Sequence, residues 1–184
     1  MNSRVLIAGI GNIFAGDDAF GVEVVRELAS HRLPQGVDVR DFGIRSYDLA
    51  YAIMDGYPTT ILVDAASRGE PPGTVYLIEP DVASLEGEAN VDAHRMDPVA
   101  VLQFVRALGG TCGKLYLVAC EPAVLESDEI GLSPSVRAAV PGAVRMIESL
   151  LDRLLPEGSS ALSPNSTAQP NFPEGGDSHV LLPQ

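Results

Sequence analysis

Through the first 155 residues, short apolar runs alternate with stretches whose apolar residues recur every three or four positions. A two-residue period marks a strand and a 3.6-residue period a helix. Residues 4–9 are a short apolar run closed by Gly9, a buried-strand candidate. Phe20, Val24, Val25 and Leu28 then recur at helical spacing, with Glu23, Arg26 and Glu27 on the other face. Over 37–42, Val37 and Val39 alternate with Asp38 and Arg40, which predicts a half-buried strand. Ser46 is placed to cap a helix running through Met54. The β-branched run 60–63 is the best central strand, and 74–78 is another, entered through Pro71, Pro72 and Gly73. Asp97 and Pro98 form a cap and first-turn proline for a helix through Leu108, and a further strand covers 115–119. Val136, Val140, Val144, Ile147, Leu151 and Leu154 mark a closing amphipathic helix, which Pro141 is expected to kink or split.

Strands alternating with helices predict an α/β fold in three layers, α/β/α. Its twisted, mostly parallel or mixed sheet should have about five strands, flanked by helices. Residues 1–155 read as one domain. Residues 156–184 are rich in Ser, Pro, Asn and Gly without either period, and read as a disordered tail.

The chain carries 25 acidic side chains against 12 Lys and Arg, a net charge of -13. Phosphate binding needs clustered cations, so a nucleic-acid partner is not expected, nor is docking on an acidic membrane. No apolar run approaches the roughly 20 residues that span a bilayer, and the first residues lack a signal-peptide core. The two cysteines, Cys112 and Cys120, are not spaced as a redox or zinc pair. Reduced thiols and a cytoplasmic location are the expectation.

In α/β sheets ligands sit beyond the carboxyl ends of the strands, so the residues just past each strand matter most. After the first strand come Gly9-Ile10-Gly11-Asn12, then Asp17-Asp18 and Gly21. A dinucleotide fingerprint would need glycine at position 14, where Phe14 stands, and two carboxylates there would repel a pyrophosphate. Asp17 and Asp18 could simply cap the next helix, although one cap does not need two acids. Asp64 closes the central apolar strand, where an acid is costly to bury without a partner. His94 precedes a helix. Alone it would be an ordinary loop histidine, but beside two strand-end acids it becomes a candidate ligand for a borderline transition metal. His31 suits a helix C-terminus, and Cys120 reads as a buried, inert thiol. A G-x-S-x-G elbow and an H-E-x-x-H helix are both absent from the sequence, which argues against serine and zincin mechanisms.

The spacing Gly9-x-Gly11-Asn12, Asp17-Asp18, Gly21 resembles the opening signature of the hydrogenase maturation proteases. So do Ile61-Leu62-Val63-Asp64-Ala65, His94 before a helix, and the closing Gly131-Leu132-Ser133-Pro134. The resemblance spans about residues 4–155. It implies a peptidase that cuts a C-terminal extension from the nickel-loaded large-subunit precursor of a nickel–iron hydrogenase. Asp18, Asp64 and His94 would be its metal-site and catalytic residues, with nickel supplied by the substrate. Asp41 and Gly43 would line the substrate-binding loop. The family usually shows Asp-Gly-Gly-Thr there, whereas this chain reads Asp41-Phe42-Gly43-Ile44, a departure that bears on target choice. Asp17 is left as either a base or a cap. The rival readings are a nickel-sensing chaperone without cleavage and a nucleotide-binding Rossmann-like enzyme.

Because 156–184 lacks apolar periodicity, a chain ending near Pro156 is expected to melt cooperatively, within a few degrees of the full chain. A large fall in melting temperature would show instead that Val180, Leu181 and Leu182 pack on the body.

Overall fold

The computed structural model describes residues 4–80, 98–125 and 130–155. The expected tail, His94 and the Asp97 cap lie outside the described residues. Among the described residues there are five strands: β1 (Val5–Ile10), β2 (Val37–Gly43), β3 (Thr59–Ala65), β4 (Val75–Ile78) and β5 (Lys114–Cys120). Four helices accompany them: α1 (Phe20–Leu28), α2 (Ser46–Met54), α3 (Pro98–Ala107) and α4 (Pro134–Leu154). The sheet order is β2-β1-β3-β5-β4, with β4 antiparallel to β5 and the other pairs parallel. This is the mixed five-strand α/β sheet that the alternation predicts.

Burial follows from each strand's place in the sheet. β1 is buried at every residue and β3 at all but its first, as fits parallel strands covered on both faces. Edge strand β2 is only partly buried, in keeping with its alternating pattern. Side chains of opposite parity feed two cores. Val5, Ile7, Ile61, Val63 and Val118 pack with α1 and α4, while Leu6, Ala8, Leu62 and Leu115 pack with α2 and α3. Each fully buried aliphatic side chain contributes about 1.5–3 kcal/mol. α1 buries Phe20, Val24, Val25 and Leu28, and pairs Glu23 with Arg26 at 2.8 Å on its wet face.

Three local expectations are corrected. Of the kink or split expected at Pro141, the split does not occur: α4 runs as one helix from Pro134 to Leu154. The ring lies on the exposed face, where the carbonyl that loses its partner can meet water. Ser46 is the first residue of α2 rather than its cap. Arg45 holds the cap position, and its guanidinium turns back to the carbonyls of Asp41 and Phe42. Asp17 and Asp18 do not cap α1 either. They lie in a separate 3-10 turn, Gly16–Ala19, and the cap position of α1 is Ala19, which makes no side-chain cap bond.

The start of α1 sits directly on the sheet. A Cβ on Gly21 would lie 2.1 Å from the Val63 carbonyl oxygen and 2.4 Å from that of Ile10. Only glycine permits helix backbone to touch β1 and β3 at once. Gly21→Ala is therefore expected to destabilise the fold by about 1–3 kcal/mol. Gly142→Ala is the control. That helical glycine has open space around it, with Arg145 Nη2 at 3.9 Å the nearest atom, and alanine there should stabilise by about 0.5–1 kcal/mol. Urea unfolding of both variants checks the contrast.

Candidate functional site

The parallel strands reverse their direction of progression between β1 and β3: β2 lies to one side and β5 to the other. Such a switch point opens a crevice beyond the strand ends. Asp18 follows β1 and Asp64 stands next to the last residue of β3, so the two sequence-predicted acids both lie at the carboxyl edge, where such a crevice is expected. The turn bearing Asp18 packs against β3, which brings both elements together.

Asp18 is half-buried, and its Oδ2 accepts the Asn12 N–H at 2.6 Å. Burial pushes its carboxyl above the usual range, against the opposing pull of that amide. Gly11, with φ of 124°, lies so close beneath that a Cβ would meet the Asp18 carbonyl oxygen at 1.8 Å. Asp18 therefore occupies the amide that a bound phosphate would take, which weighs against the nucleotide-binding rival. Asp64 is 7% exposed, and its Oδ1 accepts the Ala65 N–H at 2.8 Å.

The β2 loop stands on the other flank. Gly11 N–H donates to the Gly43 carbonyl at 3.0 Å, which fastens this loop to the Gly9–Asn12 turn. The register shifts at the strand ends, where Gly9 faces Asp41 and Ile10 faces Gly43. Phe42 is thereby turned inward, into the core with Ile10, while Ile44 stands 64% exposed. Asp41 is exposed, and Arg26 lies 3.8 Å from its Oδ2. The departure at 42 and 44 thus divides into one core residue and one exposed apolar residue beside the crevice.

Asp17 does not cap α1. It is fully buried, and Ser133 N–H donates to its Oδ1 at 2.7 Å. Its Oδ2 accepts from Ala123 N–H at 2.8 Å, Val124 N–H at 3.0 Å and Ser133 Oγ at 2.9 Å. Burial raises its pKa, but the hydrogen bonds from Val124, Ser133 and Ala123 outweigh this and hold it below the usual range. The opening and closing motifs are thus joined through one carboxylate. It is a tie between segments, neither a helix cap nor a group open to solvent.

Sequence reasoning passed over Glu121. It is 5% exposed at the end of β5 and accepts the N–H groups of Arg68 at 2.7 Å and Gly69 at 3.2 Å. The Tyr76 hydroxyl also donates to it. That bond, with the loop amides, holds its pKa below the usual range, while burial and then Glu121 push Tyr76 up to about 12. Glu121 so gathers the loop after Asp64. An acid closing an apolar strand drew attention to Asp64, and the same signal was present here. Cys120 is buried as expected. Burial, then the charge of Asp17, push its thiol up to about 11, which keeps it protonated and inert.

Among the described residues no three His, Cys, Asp or Glu side chains form a metal cluster. Asp18 and Asp64 contribute two acids, and His94 lies outside the described residues. No described helix is long and apolar enough to cross a membrane.

The chain is thus an α/β protein with two acids at the carboxyl edge of its sheet, beside the switch point between β1 and β3. Residues 22–150 match the family model described as hydrogenase maturation protease. The hydrogenase 2 maturation protease of Escherichia coli is 31% identical over 150 residues, covering 80% of this chain and 90% of that one. The hydrogenase 2 maturation peptidase of a Thaumarchaeota archaeon is 33% identical with a TM-score of 0.63, covering 80% of this chain and 97% of that one. The hydrogenase-maturating endopeptidase HybD of E. coli superposes with a TM-score of 0.67 at 28% identity, covering 82% and 93%. The chain belongs to the hydrogenase maturation protease family.

The two neighbouring acids should respond to pH with opposite signs. Asp17, with a lowered pKa, adds stability above pH about 4 that is lost as pH falls through that pKa. Asp18, with a raised pKa, stabilises most when protonated, and that contribution is lost as pH rises from about 4. At pH 7, Asp17→Asn should therefore cost about 2–3 kcal/mol, whereas Asp18→Asn should melt at or above the wild type. Both differences should shrink in melts below pH about 4.

Proposed function

We propose that this chain is a processing endopeptidase of the cytoplasm. Its substrate is the nickel-loaded large-subunit precursor of a nickel–iron hydrogenase, and it removes the C-terminal extension. The observation that carries this is the placement of Asp18 and Asp64 at the β1/β3 switch point of a fold shared with maturation endopeptidases. The net charge of -13 favours a protein partner over nucleic acid or an anionic membrane.

Asp18, Asp64 and His94 hold or sense the nickel that the substrate brings. Carboxylates alone are hard ligands, and an imidazole makes the set suited to nickel. Three protein ligands leave positions open for the scissile carbonyl and for water. Nickel would polarise that carbonyl or lower the pKa of the water. The Asn12 amide on Asp18 Oδ2 would hold this carboxylate in place for the incoming group. The raised pKa of Asp18 fits this role, because an approaching cation would stabilise its charged form. Asp41 and Gly43 flank the crevice, where the precursor's chain would lie.

His94→Ala is expected to lower processing roughly a hundredfold or more while the melting temperature stays within a few degrees. Nickel-loaded precursor is incubated with wild type and variant, its length is followed on a gel, and thermal melts run alongside. Normal cleavage by a folded variant would remove His94 from the mechanism. A wild type that binds the precursor without shortening it would make the protein a nickel-sensing chaperone.

A further inference from the structure

We propose that Asp17 is a positioning residue for Asp18: its buried carboxylate locks the Gly16–Ala19 turn to the β5–α4 connection and thereby fixes where Asp18 points. The importance of Asp18 for processing rests on the function proposed above; the mechanical link does not.

A four-residue 3-10 turn has little stability of its own, so its orientation must be imposed from outside. At three residues per turn, successive side chains leave the axis about 120° apart. Asp17 and Asp18 therefore cannot face the same way. Asp17 enters the body and meets Ala123, Val124 and both the amide and hydroxyl of Ser133. Its own N–H donates to the Val124 carbonyl at 3.0 Å, so main chain and side chain grip the same segment. Rotating the turn to redirect Asp18 would draw a buried carboxylate out of four hydrogen bonds at once. On its far side Asp18 is steadied by the Asn12 amide at 2.6 Å, over the Gly11 backbone. The Asp18 carboxylate is thus set between an anchor on the β5–α4 side and a seat on the β1 side. Asp17 itself has no exposed surface and both oxygens engaged, so it has no route to a reacting water as a base.

The test uses the full chain with Asp17→Asn and Ser133→Ala. Amide hydrogen exchange reads the link directly at Asn12, whose N–H reports the seat of Asp18. Asp17→Asn should cut Asn12 protection at least tenfold while Ile61 and Leu62 in β3 keep theirs. Ser133→Ala should do the same to a smaller degree. With nickel-loaded precursor at 20 °C, Asp17→Asn should lower kcat by about ten- to a hundredfold, leave KM nearly unchanged and keep the acid limb of the pH–rate profile. If Ala123, Val124 and Ser133 lose protection but Asn12 does not, Asp17 only fastens the connection and the proposal fails. If the acid limb disappears, Asp17 is a base and the proposal fails too. Should Asp17→Asn not fold, Ser133→Ala decides alone, and unchanged Asn12 exchange with unchanged kcat would overturn the link. The exchange arm needs no substrate. A wild type that cleaves nothing would therefore sink the proposed function while leaving this link to stand or fall separately.

Discussion

The arrangement depends on one steric constraint: the backbone of α1 touches the tips of two strands. Gly21 lies against the carbonyls of both Ile10 and Val63, at distances no side chain allows. That contact sets the height at which the helix leaves the sheet, and so the length and path of the chain from β1 into α1. The intervening residues must fold back tightly, and they do so as a 3-10 turn seated on Gly11. That turn packs against β3 and carries Asp18 to the carboxyl edge of the sheet, while Asp17 turns into the body. Glycines that would read as phosphate-loop residues thus serve packing between backbone segments.

Two buried carboxylates then organise what the glycines bring together. Asp17 and Glu121 each collect amides from loops at the carboxyl edge, Asp17 from the β5–α4 connection and Glu121 from the loop after β3. A buried charge is tolerable when several N–H groups converge on it, and both show this in a depressed pKa. Loops around a crevice are ordinarily the least constrained parts of a fold. Here they are tied to the same edge that holds Asp64.

The layers and strands were legible because period is a local property: β1, β3 and β5 stand where their apolar runs do, and α1 spans its four-point stripe. The acids Asp18 and Asp64 were legible as strand-end exceptions to apolar burial. What stayed hidden was long-range. Asp17 and Ser133 are separated by 116 positions, and neighbours in sequence give no sign of that bond. Nor does periodicity show that Asp17 and Asp18 point apart. Ser46 misled because a capping residue and a first-turn residue are one position apart, and Arg45 already had carbonyls to hold. Pro141 misled, as to a split, because its cost depends on which face it occupies. That face is solvent, a fact of packing.

The two edges of the sheet also restrict how a polypeptide can approach. β2 is fringed with charge: Asp38 is paired with Arg4 at 3.1 Å, and Asp41 lies 3.8 Å from Arg26. β4, at the opposite edge, is only four residues long. Short or charged borders are poor templates for an added strand. A chain reaching Asp64 would therefore not zip onto the sheet as peptides do in strand-addition complexes. An approach across the strand tips, at the carboxyl edge, would make no use of either border. Selection would then fall on the shape of a terminus more than on the backbone of an extended segment.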